Sequence, residues 1–506
     1  MNTMDAFRYL CIEKIRRIDP LWIRRFTVFG VAIFFVSLPF FSIEWQVFGI
    51  ERLEIKVPMV AFLLVLIAWV INGLYAPHRL SREAILFCFL AFMYSASQFL
   101  SLVNSPYPSQ SFIQGIIVTL LLIMMIVVSQ IMQDRRLVQY MYGAMGAFSL
   151  LWGLYVLGAY QFFVSATARL GQYGTILIPR WQGDAASFGD TLLFVTGAVY
   201  WIFFWFAEKK IGRWIIWLLI PLWLQLFILP FTKALIPAVF FFFIIGIILL
   251  RKRKRMIMAV SLALFVVFTL FYDPISQYAG VGYGKLVAIL QWQTRDQPIA
   301  YLESASTVPT ASTVPTAIDG KEYERRDSLT RFNPFTPYGA NSIFIRLKAI
   351  RVSIEQAQDH FFFGNGAGLS RALLPRLADK FDMRLSAEER VEYENAGIYG
   401  VAANTSVIDS HNLFLTELFN VGIIGTLALT GLVLLVIKRQ IRILREKAYQ
   451  NDTIYVLVLS TFVALLLYRM AGSYIVIPFF WATLGLLFAL SEREIGSVDP
   501  TSATIS

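Results

Sequence analysis

The sequence predicts an all-α polytopic membrane protein with about twelve transmembrane helices and one large outer loop. Three observations predict it. Hydrophobic residues make up 57% of the 506 positions, aromatics 15% and charges only 15%, where an ordinary globular protein carries roughly 25% charge. Uncharged runs such as Ala234–Leu250 and Met256–Phe271 recur along the chain. Many of these runs approach the ~20 apolar residues needed to cross some 30 Å of hydrocarbon. A soluble fold cannot cover that much apolar surface with so few charges, so soluble enzymes, nucleic-acid modules and disordered scaffolds are excluded.

The elements follow in chain order. Residues 1–25 are basic and lack a cleavage site after a short apolar stretch, which reads as a retained cytoplasmic arm. Nine spans fill 26–272, at about 26–44, 57–76, 84–104, 112–132, 138–163, 186–207, 214–231, 234–250 and 256–272. Three more fill 412–490, at about 412–437, 453–471 and 474–490, before a cytoplasmic tail at 491–506. With the N-terminus inside, the cytoplasmic segments collect 24 of the 44 basic residues, among them Arg135, Arg136 and the Arg251–Arg255 run. Short outer connections hold six: Arg52, Lys56, Arg169, Arg180, Lys233 and Arg469. That bias orients the chain by the positive-inside rule. The net charge of +11 is thus mostly topology, with membrane lipids rather than nucleic acid as the charged partner. Cys11 and Cys88 fall on the inner side and within a span, so they make no disulfide framework.

Residues 273–411 form the long outer loop. The tandem hexapeptide at 305–316, ASTVPT twice, reads as a flexible insertion. Beyond it Ile343, Leu347, Ile350 and Ile354 recur at helical spacing and predict an amphipathic helix over 341–358. A capping box at Ser386-Ala-Glu-Glu389 predicts a second helix. Between them Gly364-Asn-Gly-Ala-Gly368 marks a sharp turn; it lacks the strand, helix and lysine of a phosphate loop. His78, His360 and His411 are remote in sequence and no metal-ligand spacing accompanies them, so no metal or other cofactor is expected.

Charges at span ends are functional candidates, because a charge near lipid is costly unless it faces a polar cavity or snorkels. Lys233 stands out in a two-residue turn between spans 7 and 8. Arg169 and Arg180 share a longer connection and read equally as solvated residues, and Arg469 reads more readily as an interfacial anchor. A second constellation opens span 10, where His411-Asn412 is followed by Glu417, Gly422 and Gly425. The glycines would let another helix approach closely, and Asp409 reads as a turn residue.

Together these residues resemble the O-antigen ligase/polymerase superfamily of bacterial membrane glycosyltransferases. The family's signature is His, then Asn, Ser or Gln, nine residues, and Gly-x-x-Gly; this chain has His411, Asn412, nine residues, Gly422 and Gly425. A second family feature is an Arg some 18 residues before a Gly-x-Gly turn that follows an aromatic stretch, and Arg346, Phe361–Phe363, Gly364 and Gly366 fit it. A third, a Ser-Arg pair between spans 7 and 8, is here Thr232-Lys233, which keeps the charge and loses the bidentate fork.

The resemblance implies a GT-C-like fold in the bacterial inner membrane, with the active site facing the periplasm. It implies a polyprenyl-diphosphate-linked glycan as donor and a glycan or lipid A-core hydroxyl as acceptor, without metal. His411 is then the candidate base. Arg346, Lys233, Arg180, Arg169 and Arg469 are the candidate diphosphate ligands, with Asn412, Glu417, Gly422, Gly425, Gly364 and Gly366 in support. Glu417 either orients His411 or is a separate buried acid. No covalent nucleophile stands near His411, so the transfer is expected to invert the anomeric centre. Ligase and polymerase remain equally open. The competing class is a transporter of lipid-linked glycan, which would call for charges at mid-depth and broken helices in matched halves.

Overall fold

In an apolar phase every backbone N–H and C=O needs a partner within the protein, and the α-helix supplies one locally. A computed structural model of the chain describes residues 20–38, 57–75, 81–167, 185–209, 212–227, 235–271, 350, 353–355, 357–370, 412–447, 449, 452–470 and 477–498. Its helices are α1 (Pro20–Ser37), α2 (Val57–Tyr75), α3 (Arg82–Leu100), α4 (Pro108–Ile131), α5 (Arg135–Thr167), α6 (Ala185–Glu208) and α7 (Arg213–Gln225). They continue with α8 (Leu235–Leu249), α9 (Lys252–Phe271), α10 (Leu413–Glu446), α11 (Thr453–Met470) and α12 (Pro478–Val498). A 3-10 turn, Ser101–Asn104, extends α3, and no strand occurs among the described residues.

Each stretch read as an apolar span holds one of these helices. Six of them, α3 with its 3-10 turn, α4, α5, α6, α10 and α11, are long and apolar enough to cross a membrane. Shorter apolar helices lie within α1, α2, α7, α8 and α12. The architecture is that of an all-helical membrane protein.

Helix ends depart from the expected ones where polar residues continue a helix beyond its apolar run. α1 starts at Pro20, inside the expected arm, since proline is tolerated in a first turn. α9 takes in the basic run from Lys252. α10 runs to Glu446, nine residues past the expected limit. Its last turns carry an Arg442–Glu446 ion pair of 2.9 Å, the i,i+4 spacing that supports a helix. Lys447 then ends it in the left-handed conformation, φ 54°, with its N–H turned back to the Ile443 and Leu444 carbonyls.

Packing follows small residues and ring stacks, since lipid gives helices little hydrophobic reason to associate. α10 lies along α3, α12 along α4, and α11 against α8, α6 and α12. Where α12 meets α4, a Cβ on Gly485 would strike the Met125 carbonyl; where α5 meets α6, one on Gly146 would strike that of Ala198. Phe87 stacks on Phe488 at 4.2 Å, and Tyr94 sits 5.9 Å from Trp481.

Only part of the expected amphipathic segment lies within the described residues. Residues 350, 353–355 and 357–359 are helical, but the buried side chains are Ser353 and Ala357, while Ile354 is 42% exposed. Against a membrane an apolar side chain need not turn inward, so the isoleucine stripe does not identify the packed face. The hexapeptide repeat and the helix expected from Ser386 lie outside the described residues.

Candidate functional site

The two glycine motifs, 54 or more residues apart in sequence, meet at one point. Asn412 caps α10, its Oδ1 accepting from the N–H groups of Phe414 and Leu415 at 3.0 and 3.1 Å. Ten residues later Gly422 leaves helical geometry at φ 68°, ψ −170°, a backbone that glycine adopts freely and other residues do not. The break orphans the Phe419 and Asn420 carbonyls and the Ile423 N–H, which a continuous helix would have paired.

The Gly364 turn supplies the missing partners. Asn365 N–H donates to the Phe419 carbonyl at 2.9 Å, Gly366 N–H to that of Asn420 at 3.0 Å, and Ile423 N–H to that of Phe361 at 2.8 Å. Asn365 Nδ2 adds 3.1 Å to Phe419 O, and Asn420 Oδ1 accepts from Ser370 N–H at 3.0 Å. Gly364 and Gly422 are mutually necessary: a Cβ on the first would strike the Asn420 backbone, and one on the second the Phe362 carbonyl. The end of α3 completes the clasp, with Ala367 N–H on Ser101 Oγ at 2.9 Å and Asn104 Nδ2 on the Gly364 carbonyl at 3.2 Å. Phe361 and Phe362 remain exposed beside it.

Gly425 has a different task. A Cβ there would strike Ser97 Oγ, so this glycine admits α3. Below it the two helices keep an antiparallel register, with Gly431 facing Leu90 and Arg439 paired to Glu83. Continued upward, that register would set Glu417 level with Ser105. Its Oε2 instead accepts from Tyr94 Oη at 2.6 Å, about three turns lower on α3. Above Gly422 the chain therefore bends in toward the bundle, and α10 is two helices: a half-helix at 413–421 and a long one at 423–446. Both members of the pair are buried, Tyr94 completely and Glu417 to 2% exposure.

Arg469, near the end of α11, is buried with its guanidinium against the Asp190 carboxylate near the start of α6; Nε donates to Oδ1 at 3.0 Å. A surface anchor is not what this residue is, because its charge is directed into the protein. Tyr468 lies over Gly189, where a Cβ would come within 2.6 Å of the phenol oxygen.

At the opposite end of the bundle, some 27 Å along α3, the contacts are ionic. Arg439, 3% exposed, bridges Glu83 at 2.8 Å and Glu492 at 2.9 Å with its guanidinium 4.4 Å over Phe488. Lys254 pairs with Glu208 at 3.0 Å and donates to Thr453 Oγ1 at 2.8 Å.

Of the residues singled out from the sequence, the structure thus brings together Gly364, Gly366, Asn412, Glu417, Gly422 and Gly425. His411, Arg346, Lys233, Arg180, Arg169 and Asp409 lie outside the described residues. Tyr94, Asn420 and Asp190 join these contacts with no motif of their own. Asp190 carried a signal, a lone carboxylate in an apolar run; Tyr94 carried none. No family model matches the chain, and no curated protein matches it.

Proposed function

We propose that the chain is a membrane glycosyltransferase of the O-antigen ligase or polymerase type, acting on the outer face of the bacterial inner membrane through a GT-C-like bundle of twelve spans. The observation that carries the reading is the clasp. The Gly-x-Gly that follows Arg346 by 18 residues and the Gly-x-x-Gly that follows His411-Asn412 share one set of backbone hydrogen bonds. Two motifs that the resemblance names separately therefore have a common anchor.

In the proposed reaction the acceptor hydroxyl oxygen attacks the anomeric carbon of the carrier-linked glycan as the bond to the diphosphate oxygen breaks, and the centre inverts. His411 takes the hydroxyl proton, a role worth about 10²–10⁴ in rate. The charge that develops on the diphosphate is met by Arg346 and Lys233, with Arg169 and Arg180 as further candidates, each charge-assisted bond contributing about 1.5–3 kcal/mol. Arg469 already faces Asp190, which leaves it a poorer diphosphate ligand than the other cations. The donor is the lipid-linked glycan and the acceptor a glycan or lipid A-core hydroxyl.

A second reading, transport of lipid-linked glycan, draws on the Arg469–Asp190 pair and on the broken α10, because transporters use buried charges and interrupted helices. The size distribution of carrier-linked glycan in cells lacking the protein, or carrying His411→Ala, separates these. Single repeat units accumulating on the carrier identify a polymerase, and full-length chains stranded on it a ligase. Donor trapped on the cytoplasmic face overturns the enzyme reading in favour of transport.

A further inference from the structure

Tyr94 and Glu417 have no task in the chemistry above, yet they are among the most enclosed polar groups in the bundle. Tyr94 stands on α3 with Trp481 of α12 packed beside its ring. Gln98, buried one turn further along α3, shares its face. Glu417 lies midway along the half-helix 413–421, whose two ends are set by Asn412 and by the break at Gly422. The clasp holds the C-terminal end of that half-helix through Phe419 and Asn420. A segment pinned at one end still pivots about the pin. The Tyr94–Glu417 hydrogen bond is a second fixture, about one turn from the first, and it accounts for the inward departure from the α3–α10 register.

We infer that Tyr94 and Glu417 are a positioning pair: their hydrogen bond sets the direction of the half-helix 413–421 and so the place of His411 at its N-terminal end. This rests on the reading of the chain as a glycan transferase. Glu417 then acts through the hydrogen it accepts from Tyr94 rather than through a proton it transfers. A misplacement of about 1 Å at a reacting group costs on the order of 10²-fold in rate, so a small rotation of the half-helix has a large kinetic effect. Because the diphosphate ligands stand elsewhere in the chain, donor binding is left largely intact.

The test uses the full-length protein in lipid nanodiscs, with Tyr94→Phe, Glu417→Leu and Glu417→Gln, followed by amide hydrogen exchange and by transfer kinetics. Tyr94→Phe and Glu417→Leu are expected to speed exchange across 413–421 by about tenfold or more while 426–446 exchange as in the wild type. They are expected to lower kcat by about 10–100-fold with the donor KM within about threefold. Glu417→Gln keeps an oxygen that accepts from Tyr94 and stays within about threefold of wild type in both readouts. Unchanged exchange in the first two variants overturns the pair, whatever the kinetics. A Glu417→Gln protein as slow as Glu417→Leu but with wild-type exchange makes Glu417 a proton-transfer residue and overturns positioning too. Wild-type protein that transfers no glycan sinks the enzymatic reading on which the kinetic arm rests, while exchange still decides whether the pair orients the half-helix.

Discussion

Helices α3 and α10 are joined by different chemistry at their two ends. At the end that carries residues 357–370, α3 and α10 are tied through backbone amides, asparagine and serine side chains and one tyrosine. At the other end the same two helices are tied by Arg439 to Glu83, with Glu492 of α12 as third partner. Charges tolerate some movement, because Coulomb attraction falls slowly with distance. Backbone hydrogen bonds tolerate little, since they weaken steeply once misaligned. The ionic end therefore stays joined through small displacements, while the amide end holds its parts in one arrangement.

The largest expected effect lies at the amide end. Gly422→Ala meets both the Phe362 carbonyl and a backbone at φ 68°, ψ −170°, which costs about 1–3 kcal/mol for the conformation alone and about 1 kcal/mol for each clasp hydrogen bond lost. Limited proteolysis of the variant should cut within 357–370, where the wild type resists; equal resistance would break the contrast between the ends.

Next comes Arg439→Met, which strands two carboxylates at the ionic end. About 2–3 kcal/mol is expected, below the 3–5 of a fully buried pair because Glu83 is 40% exposed. Thermal unfolding in detergent checks it, and Arg439→Lys should recover only part, since the ammonium keeps the charge and loses the planar group that lies over Phe488. A lysine variant as stable as wild type would show that charge alone holds this end.

Asn412→Ala removes two cap hydrogen bonds and should cost about 1 kcal/mol, with Asn412→Asp nearly neutral. Faster amide exchange confined to Phe414 and Leu415 is the expected sign; no change would mean the cap is redundant. The smallest effect is Lys254→Ala, about 0.5 kcal/mol, because Glu208 is 59% exposed. It should vanish as salt rises to about 1 M, where the Debye length is near 3 Å. Clasp protection should be indifferent to salt, and parallel losses at both ends would remove the distinction between them.

How much of this was legible beforehand differs by residue. The helices were, because an apolar run has one regular way to satisfy its backbone. Gly422 and Gly364 were visible as motifs, since only glycine suits a left-handed backbone without strain. Their meeting was not, as nothing local in either segment specifies the other. Arg469 read as an anchor because its partner, Asp190, lies 279 residues away, and pairing at that separation is settled by which helices pack together. Ile354, apolar yet 42% exposed, shows why such a stripe does not name its partner: in a membrane the exposed face of a helix is as apolar as the packed one.

The sequence by itself determined that the chain is helical, that it belongs in a membrane and which residue types stand at its helix ends. Those properties follow from composition and local backbone chemistry, each residue contributing independently of where the chain goes next. Tertiary structure decided that α10 is broken at Gly422 rather than continuous, that a loop segment completes its hydrogen bonding, and that Tyr94 takes Glu417 while Asp190 takes Arg469. Those are choices among partners, and inside an apolar bundle a polar group takes whichever partner packing brings within about 3 Å.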